Sequence, residues 1–290
     1  MGRHTHKGFT LVEMAFVVVV MGLILLAVLP TLSTVRQSTQ TAITHDNLKG
    51  AMRAVAAFVQ AHGCVPCPTP ANRFGAGFGR VRGDEAVGAP LCGGSCVARE
   101  GILPFVSLGM PARAAQDGWG RWMTYAVDTN LTQNFGIVPP TRPCTSAEMT
   151  NNPTQCRSSN HAQNGLCRSN LPPSGNMRVM QTMGSATDTD VAVLLLSHGK
   201  NGYGAFQASA SSETTLIRRL SFPPPPNSTV CSDGGVEQCN GQGGDNGLYY
   251  DRDHVSNAGD VFDDVLLYYD RNQLVALLGG AACQTSWGAP

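Results

Sequence analysis

Phe9 to Leu29 is an almost unbroken apolar run in which Glu13 is the one charged residue. Counting both ends it has 21 residues, about the length of a helix that crosses a bilayer. A charged group near the centre of such a helix costs about 2.5–3.5 kcal/mol, so a carboxylate kept there needs a partner. Beyond Pro30 the pattern becomes amphipathic. Leu32, Val35, Thr39, Ile43, Leu48, Met52, Val55 and Val59 recur mostly at three- and four-residue steps, separated by hydroxyl, amide and charged residues. His62-Gly63 reads as the stop. The spacing predicts one helix from Phe9 to His62, about 80 Å long at 1.5 Å per residue. Its apolar half covers 9–30 and its amphipathic half 31–63.

From Cys64 the pattern turns to short strands and Gly/Pro-rich connections. Trp119 to Val127 begins as a turn and continues as a strand. Asp190 to Ser197 reads as a buried strand, ended by His198-Gly199. Leu216 to Phe222 is a further strand closed by the Pro223–Pro226 run, Val261 to Tyr269 another, and Arg271 to Leu278 a short helix stopped by Gly279-Gly280. Residues 139–175 and 223–259 read as long irregular insertions pinned by cysteines. A long helix followed by strands gives an α+β class, with residues 64–290 as the globular head.

The ends of the apolar run set its orientation. Arg3 and Lys7 precede it and no basic residue follows until Arg36, which places the leader in the cytoplasm and the head outside. A secretory signal peptide would have a shorter apolar core and an A-x-A-like cleavage site. Here the run leaves through Leu29-Pro30-Thr31-Leu32. A plain membrane anchor would leave Glu13 without a task.

Gly8-Phe9-Thr10-Leu11-Val12-Glu13 behind a basic leader, residues 1–8, resembles the signal of type IV pilins and type II secretion pseudopilins. The resemblance covers about residues 1–35. It implies cleavage between Gly8 and Phe9 by a prepilin peptidase, N-methylation of Phe9, and assembly of the long helix into a filament core. It also implies a head whose antiparallel sheet lies over the second half of the helix, with Gly22 and Pro30 as places where the helix loosens or kinks. After cleavage the Phe9 amine is a new cation with a reference pKa of about 7.7–8.0, and Glu13 of a neighbouring subunit can pair with it. The segments Gly101–Gly109, Asp117–Arg121 and Ser197–Gly202 also resemble a group of large prepilin-type proteins.

Net charge is zero, so nothing in the balance favours nucleic acid. The charged fraction is 14%, with 33 glycines and 18 prolines, as suits a loop-rich extracytoplasmic domain. Cys64, Cys67, Cys92, Cys96, Cys144, Cys156, Cys167, Cys231, Cys239 and Cys283 form an even set behind a membrane segment, which implies disulfides in an oxidising compartment with pairing left open. Cys64/Cys67 and Cys92/Cys96 also have a spacing near that of a zinc ribbon. Cys64-Val65-Pro66-Cys67 matches a redox pair in spacing, but follows a helix C-terminus instead of opening a helix. Gly199-Lys200 lacks the rest of a phosphate loop, the histidines show no metal-ligand spacing, and there is no G-x-S-x-G elbow. Asp245, Asp251, Asp253, Asp260, Asp263 and Asp264 form an acidic stretch. Some pseudopilins hold calcium in such a loop, which makes Asp245, Asp251, Asp253 and Asp260 weak candidates; no other cofactor is expected.

The expectation is a non-enzymatic minor pilin or pseudopilin. Its head exceeds the ~100–150 residues of a common domain, which crowds poorly in a repeating shaft. The expected partners are other pilin subunits, a prepilin peptidase, an inner-membrane assembly platform and, before assembly, the lipid bilayer. A pilin-displayed adhesin using residues 139–175 and 223–259 is the alternative.

Overall fold

Helix α1 runs from Leu11 to His62 without a break across Gly22 and Pro30. The computed structural model describes residues 11–62, 64–70, 77–81, 96, 98–132, 177–180, 188–209, 212–218, 236–241, 247–257 and 260–277. Two compact units emerge, Met1–Ala42 and Ile43–Pro290. In the first, none of the described side chains is buried in a core. Leu11, Val12, Phe16, Val18, Leu23 and Leu26 are all more than half exposed, on every side of the helix. Val35 and Ile43 are exposed as well. Burial thus starts later than the amphipathic pattern suggested, because residues 33–41 carry Ser, Thr, Gln and Arg around most of the circumference.

In the second unit the helix acquires a buried stripe. Thr44, Leu48, Ala51, Met52, Val55, Phe58 and Val59 are buried, at steps of three and four that place them on one face. That face meets a four-stranded antiparallel sheet ordered β1-β2-β5-β11. Its strands are β1 (Glu100–Ile102), β2 (Thr124–Val127), β5 (Val193–Ser197) and β11 (Val265–Tyr269). Alternation along each strand divides the sheet cleanly. Tyr125, Val127, Val193 and Leu195 join the helix residues in one core, with Val265, Leu267 and Tyr269 packed against it.

The opposite face carries Ala126, Leu194 and Leu196, which pack on Met177, Val179, Val191 and Tyr249. These come largely from a second layer, a three-stranded sheet ordered β4-β3-β8. In it β3 (Arg178–Met180) pairs antiparallel with β4 (Asp188–Asp190) and parallel with β8 (Leu248–Tyr250). Strand β5 is therefore covered on both sides, which explains its run of consecutive apolar residues. Two hairpins complete the described residues: β6 (Phe206–Ser209) with β7 (Ser212–Arg218), and β9 (Val255–Asn257) with β10 (Asp260–Phe262). Short helices α2 (Val236–Gly241) and α3 (Arg271–Leu277) flank them.

The α+β class holds, while several strand boundaries move. The Asp190–Ser197 run divides into β4 and β5, because Val191 and Ala192 turn to pair with Met177 and Tyr269 backbone groups. The Val261–Tyr269 run divides at Asp263-Asp264 for a similar reason: those carboxylates serve loop contacts, not the ladder. The strand expected at Leu216–Phe222 begins earlier, at Ser212, and is described as far as Arg218; residues 219–222 lie outside the described residues. Residues 223–259 are not simply irregular, since they include α2, β8 and β9.

After the helix the chain is tied to the sheet at once. Val65 N–H donates to Leu131 O, Thr69 and Ile102 exchange two backbone bonds, and Tyr125 Oη donates to Pro66 O at 3.1 Å. Gly101 permits this close approach: a Cβ there would lie 2.2 Å from Thr69 O. Cys67 and Cys96 form a disulfide across 29 residues, and Cys64 is also disulfide-bonded. Three of the four thiolates a zinc ribbon would need are thus consumed, and Cys67 pairs outside the C-x-x-C unit. Cys239 is buried; Cys92, Cys144, Cys156, Cys167, Cys231 and Cys283 lie outside the described residues.

Leu195→Ala should lower head stability by about 2–5 kcal/mol in urea unfolding, since Leu195 is 0% exposed between helix and sheet. A loss below 1 kcal/mol would contradict the packing described. Cys67→Ser should cost about 3–4 kcal/mol through the loop it reopens, read as a lower thermal midpoint than the oxidised parent.

Candidate functional site

Two parts of the molecule carry chemistry beyond packing: the N-terminal helix and a polar junction at one end of the central sheet. In the helix, Glu13 lies in the first turn of α1 and is the fifth residue after the junction of Gly8 and Phe9. Gly8 and Phe9 themselves lie outside the described residues. Gly22 has open space around it, with nothing within 4 Å of where a Cβ would stand. Among the described residues no helix is long and apolar enough to cross a membrane. The apolar run of the sequence extends beyond them at Phe9 and Thr10, and side chains 25 and 27–33 are outside them too.

The polar junction is built where β5 ends. Ser197 closes the strand and its Oγ donates to Asp117 Oδ2 at 2.8 Å. Asp117 is only 5% exposed, and its Oδ1 accepts from the backbone N–H groups of Trp119 and Arg121, each at 2.9 Å. Burial raises the Asp117 pKa above the ordinary value of 3.8, opposed by these bonds and the Arg121 charge. Arg121 then reaches across, donating through Nη1 to Gly199 O and through Nη2 to Lys200 O at 2.8 Å. Gly202, at φ +66°, lies flat against the guanidinium, where a Cβ would sit 2.3 Å from Cζ. The segments 117–121 and 197–202, separate in sequence, are thus one structural unit.

His198 turns inward from the same strand end. Its Nε2 shares a 3.0 Å hydrogen bond with Thr124 Oγ1, and its Nδ1 lies 3.8 Å from Asp264 Oδ1. Burial and the Arg121 charge hold its pKa down at about 3, so the imidazole is neutral near pH 7. The contact with Asp264 is therefore not an ion pair. Asp264 is held by Asn240 Nδ2, which donates to Oδ2 at 2.9 Å, while Asn240 also bridges Tyr250 through its backbone. Asp263 Oδ2 accepts from Asn201 N–H at 2.8 Å, and Asn201 Nδ2 donates to Glu237 Oε1. Burial, then the charges of Glu237 and Asp263, push the Asp264 pKa well above 3.8.

The acids singled out from sequence fall differently. Asp245 lies outside the described residues, Asp253 is exposed, and Asp260 lies in β10. Asp251 is half-buried, with its pKa raised by burial and by Asp253. The carboxylates that converge are Glu237, Asp263 and Asp264. Glu237 escaped the sequence reading because it lies on the six-residue helix α2, inside what reads as loop; the one available signal was the adjacent Asp263-Asp264 pair interrupting an apolar run.

Comparison with known families finds one match: residues 3–29 fit the family described as the prokaryotic N-terminal methylation motif. No curated protein and no solved structure matches the chain. The motif is the type IV pilin and pseudopilin signal, and it covers the helix start that contains Glu13.

Asp117→Ala should destabilise the head by about 2–4 kcal/mol, because it strips the acceptor from two backbone donors and the Ser197 hydroxyl. Unchanged stability in chemical denaturation would show that these bonds contribute nothing net.

Proposed function

We infer, from a chain that carries the prokaryotic N-terminal methylation motif at residues 3–29, a pilin- or pseudopilin-type subunit that works by assembly and not by catalysis. The observation that carries this reading is the division of α1. Among the described side chains, the large apolar ones from Leu11 to Leu26 are exposed, whereas from Leu48 to Val59 they are buried in the head. An apolar helix surface of that extent exists to be covered. Lipid covers it first, and then the same segment of other subunits.

The proposed course follows from the residues. Prepilin peptidase cuts after Gly8, Phe9 becomes the new amino terminus and is methylated, and the helix stays in the inner membrane with the head on the periplasmic side. An assembly platform then draws the subunit into a type IV pilus or a type II secretion pseudopilus. Glu13 supplies the register, since its carboxylate in an apolar surrounding is stabilised by the Phe9 amine of a neighbour. Removing one member of such a buried pair costs about 3–5 kcal/mol. Gly22 and Pro30 give the segment room to bend on packing. The size of the head favours a minor subunit over the shaft-forming one.

In cells that make the filament, Gly8→Val should leave the leader attached, seen as the unprocessed mass. Glu13→Leu should be cleaved as the parent is, yet be lost from sheared filaments. Full incorporation of the Glu13→Leu protein would refute the register role.

A further inference from the structure

We propose that Glu237, Asp263 and Asp264 form a binding site for a hard divalent cation of calcium size, at the junction of α2, the β10–β11 connection and the turn after β5. One carboxylate oxygen from each residue lies within 4.8 Å of the others. Calcium binds oxygen ligands at about 2.3–2.6 Å, so two of its ligands are at most about 4.6–5.2 Å apart. Magnesium, at about 2.0–2.1 Å, would need a tighter group. The donors are all carboxylate, the hard type such a cation prefers.

The acidic group is more than a patch of like charge. Glu237 is 0% exposed and the Asp264 side chain is fully buried. Each carboxylate is held on one oxygen by an amide donor: Glu237 Oε1 by Asn201 Nδ2, Asp263 Oδ2 by Asn201 N–H, Asp264 Oδ2 by Asn240 Nδ2. The other oxygens of the two aspartates, Asp263 Oδ1 and Asp264 Oδ1, are buried and accept no hydrogen bond. Oriented acids with buried, undonated oxygens are what a cation's ligands look like before it binds. Left alone, such oxygens carry the full cost of desolvation.

The surroundings fit a closed site. The buried Nδ1 of His198, which has no hydrogen-bond partner, faces Asp264 Oδ1 at 3.8 Å. Arg121 is committed to the carbonyls of Gly199 and Lys200. Gly199, at φ +52°, has no room for a side chain, because a Cβ would lie 2.5 Å from Asp263 Oδ1. The turn from 198 to 202 therefore packs directly onto the ligands. A bound cation would join three segments far apart in sequence.

The test uses the full-length protein in detergent, stripped with chelator and then titrated with calcium chloride. The expected results are one calcium per chain by equilibrium dialysis and a thermal midpoint raised by several degrees, with magnesium weaker. Glu237→Gln and Asp263→Asn should each weaken calcium binding by about tenfold or more. In chelator both should be at least as stable as the parent, because like charges have been removed. Asp251→Asn and Asp253→Asn should bind as the parent does. The proposal is overturned by an absence of calcium binding at millimolar concentration, or by unchanged affinity in both cluster variants. It is also overturned if binding is lost in the Asp251 or Asp253 variants instead. Gain of filament incorporation or its loss in Glu13→Leu has no bearing on these readouts, so the two readings fail separately.

Discussion

The contact between one face of α1 and the inner face of the four-stranded sheet holds the head together. Leu48, Met52, Val55 and Val59 on the helix and Tyr125, Val127, Val193 and Leu195 on the sheet are buried in a single core. Fully burying one such side chain contributes about 1.5–3 kcal/mol, and every other element is arranged around the result. The helix is thereby asked to do two incompatible things along its length. Over Thr44–Val59 it must fold against its own chain, and over Leu11–Leu26 it must refuse to. The sequence separates these tasks by the polar interval Ser33–Thr41, which offers neither partner enough apolar surface to bind.

The outer face of the sheet depends on the same alternation. Ala126, Leu194 and Leu196 pack on Met177, Val179 and Tyr249, so β5 is a strand with no solvent side. A one-residue slip of β5 would exchange Leu195 with its neighbours and still bury leucine, because the run Leu194-Leu195-Leu196 is chemically uniform. Register must therefore be specified at the strand end. Ser197 on Asp117 and His198 on Thr124 supply that specification, each joining a polar side chain to one fixed partner. The polar junction is in this sense the complement of the apolar core.

Much of this was legible in the residues. The motif around Gly8 and Glu13, the long helix, the buried strand before His198 and the oxidation of Cys64, Cys67 and Cys96 all follow from pattern and composition. What sequence could not supply was the meeting of distant segments. Asp117–Arg121 and Ser197–Gly202 are visible as motifs, but their mutual hydrogen bonds depend on β2 and β5 being neighbours. The strand breaks at Val191 and Asp263 were hidden for the opposite reason: local apolar runs read as continuous while tertiary partners interrupt them. Glu237 was hidden because a six-residue helix leaves too short a period to detect.

The Cys67–Cys96 disulfide lies between the exit of α1 and the start of β1. For a subunit extracted from a membrane and held by its helix, that position is mechanical. Tension on α1 passes from His62 to Cys64, itself disulfide-bonded, and on to Cys67, whose covalent bond to Cys96 leads to the edge strand. The sheet is then pulled at β1, with β11 at the far edge. The head is thus fastened to its own stem by a bond that traction cannot peel open one hydrogen bond at a time.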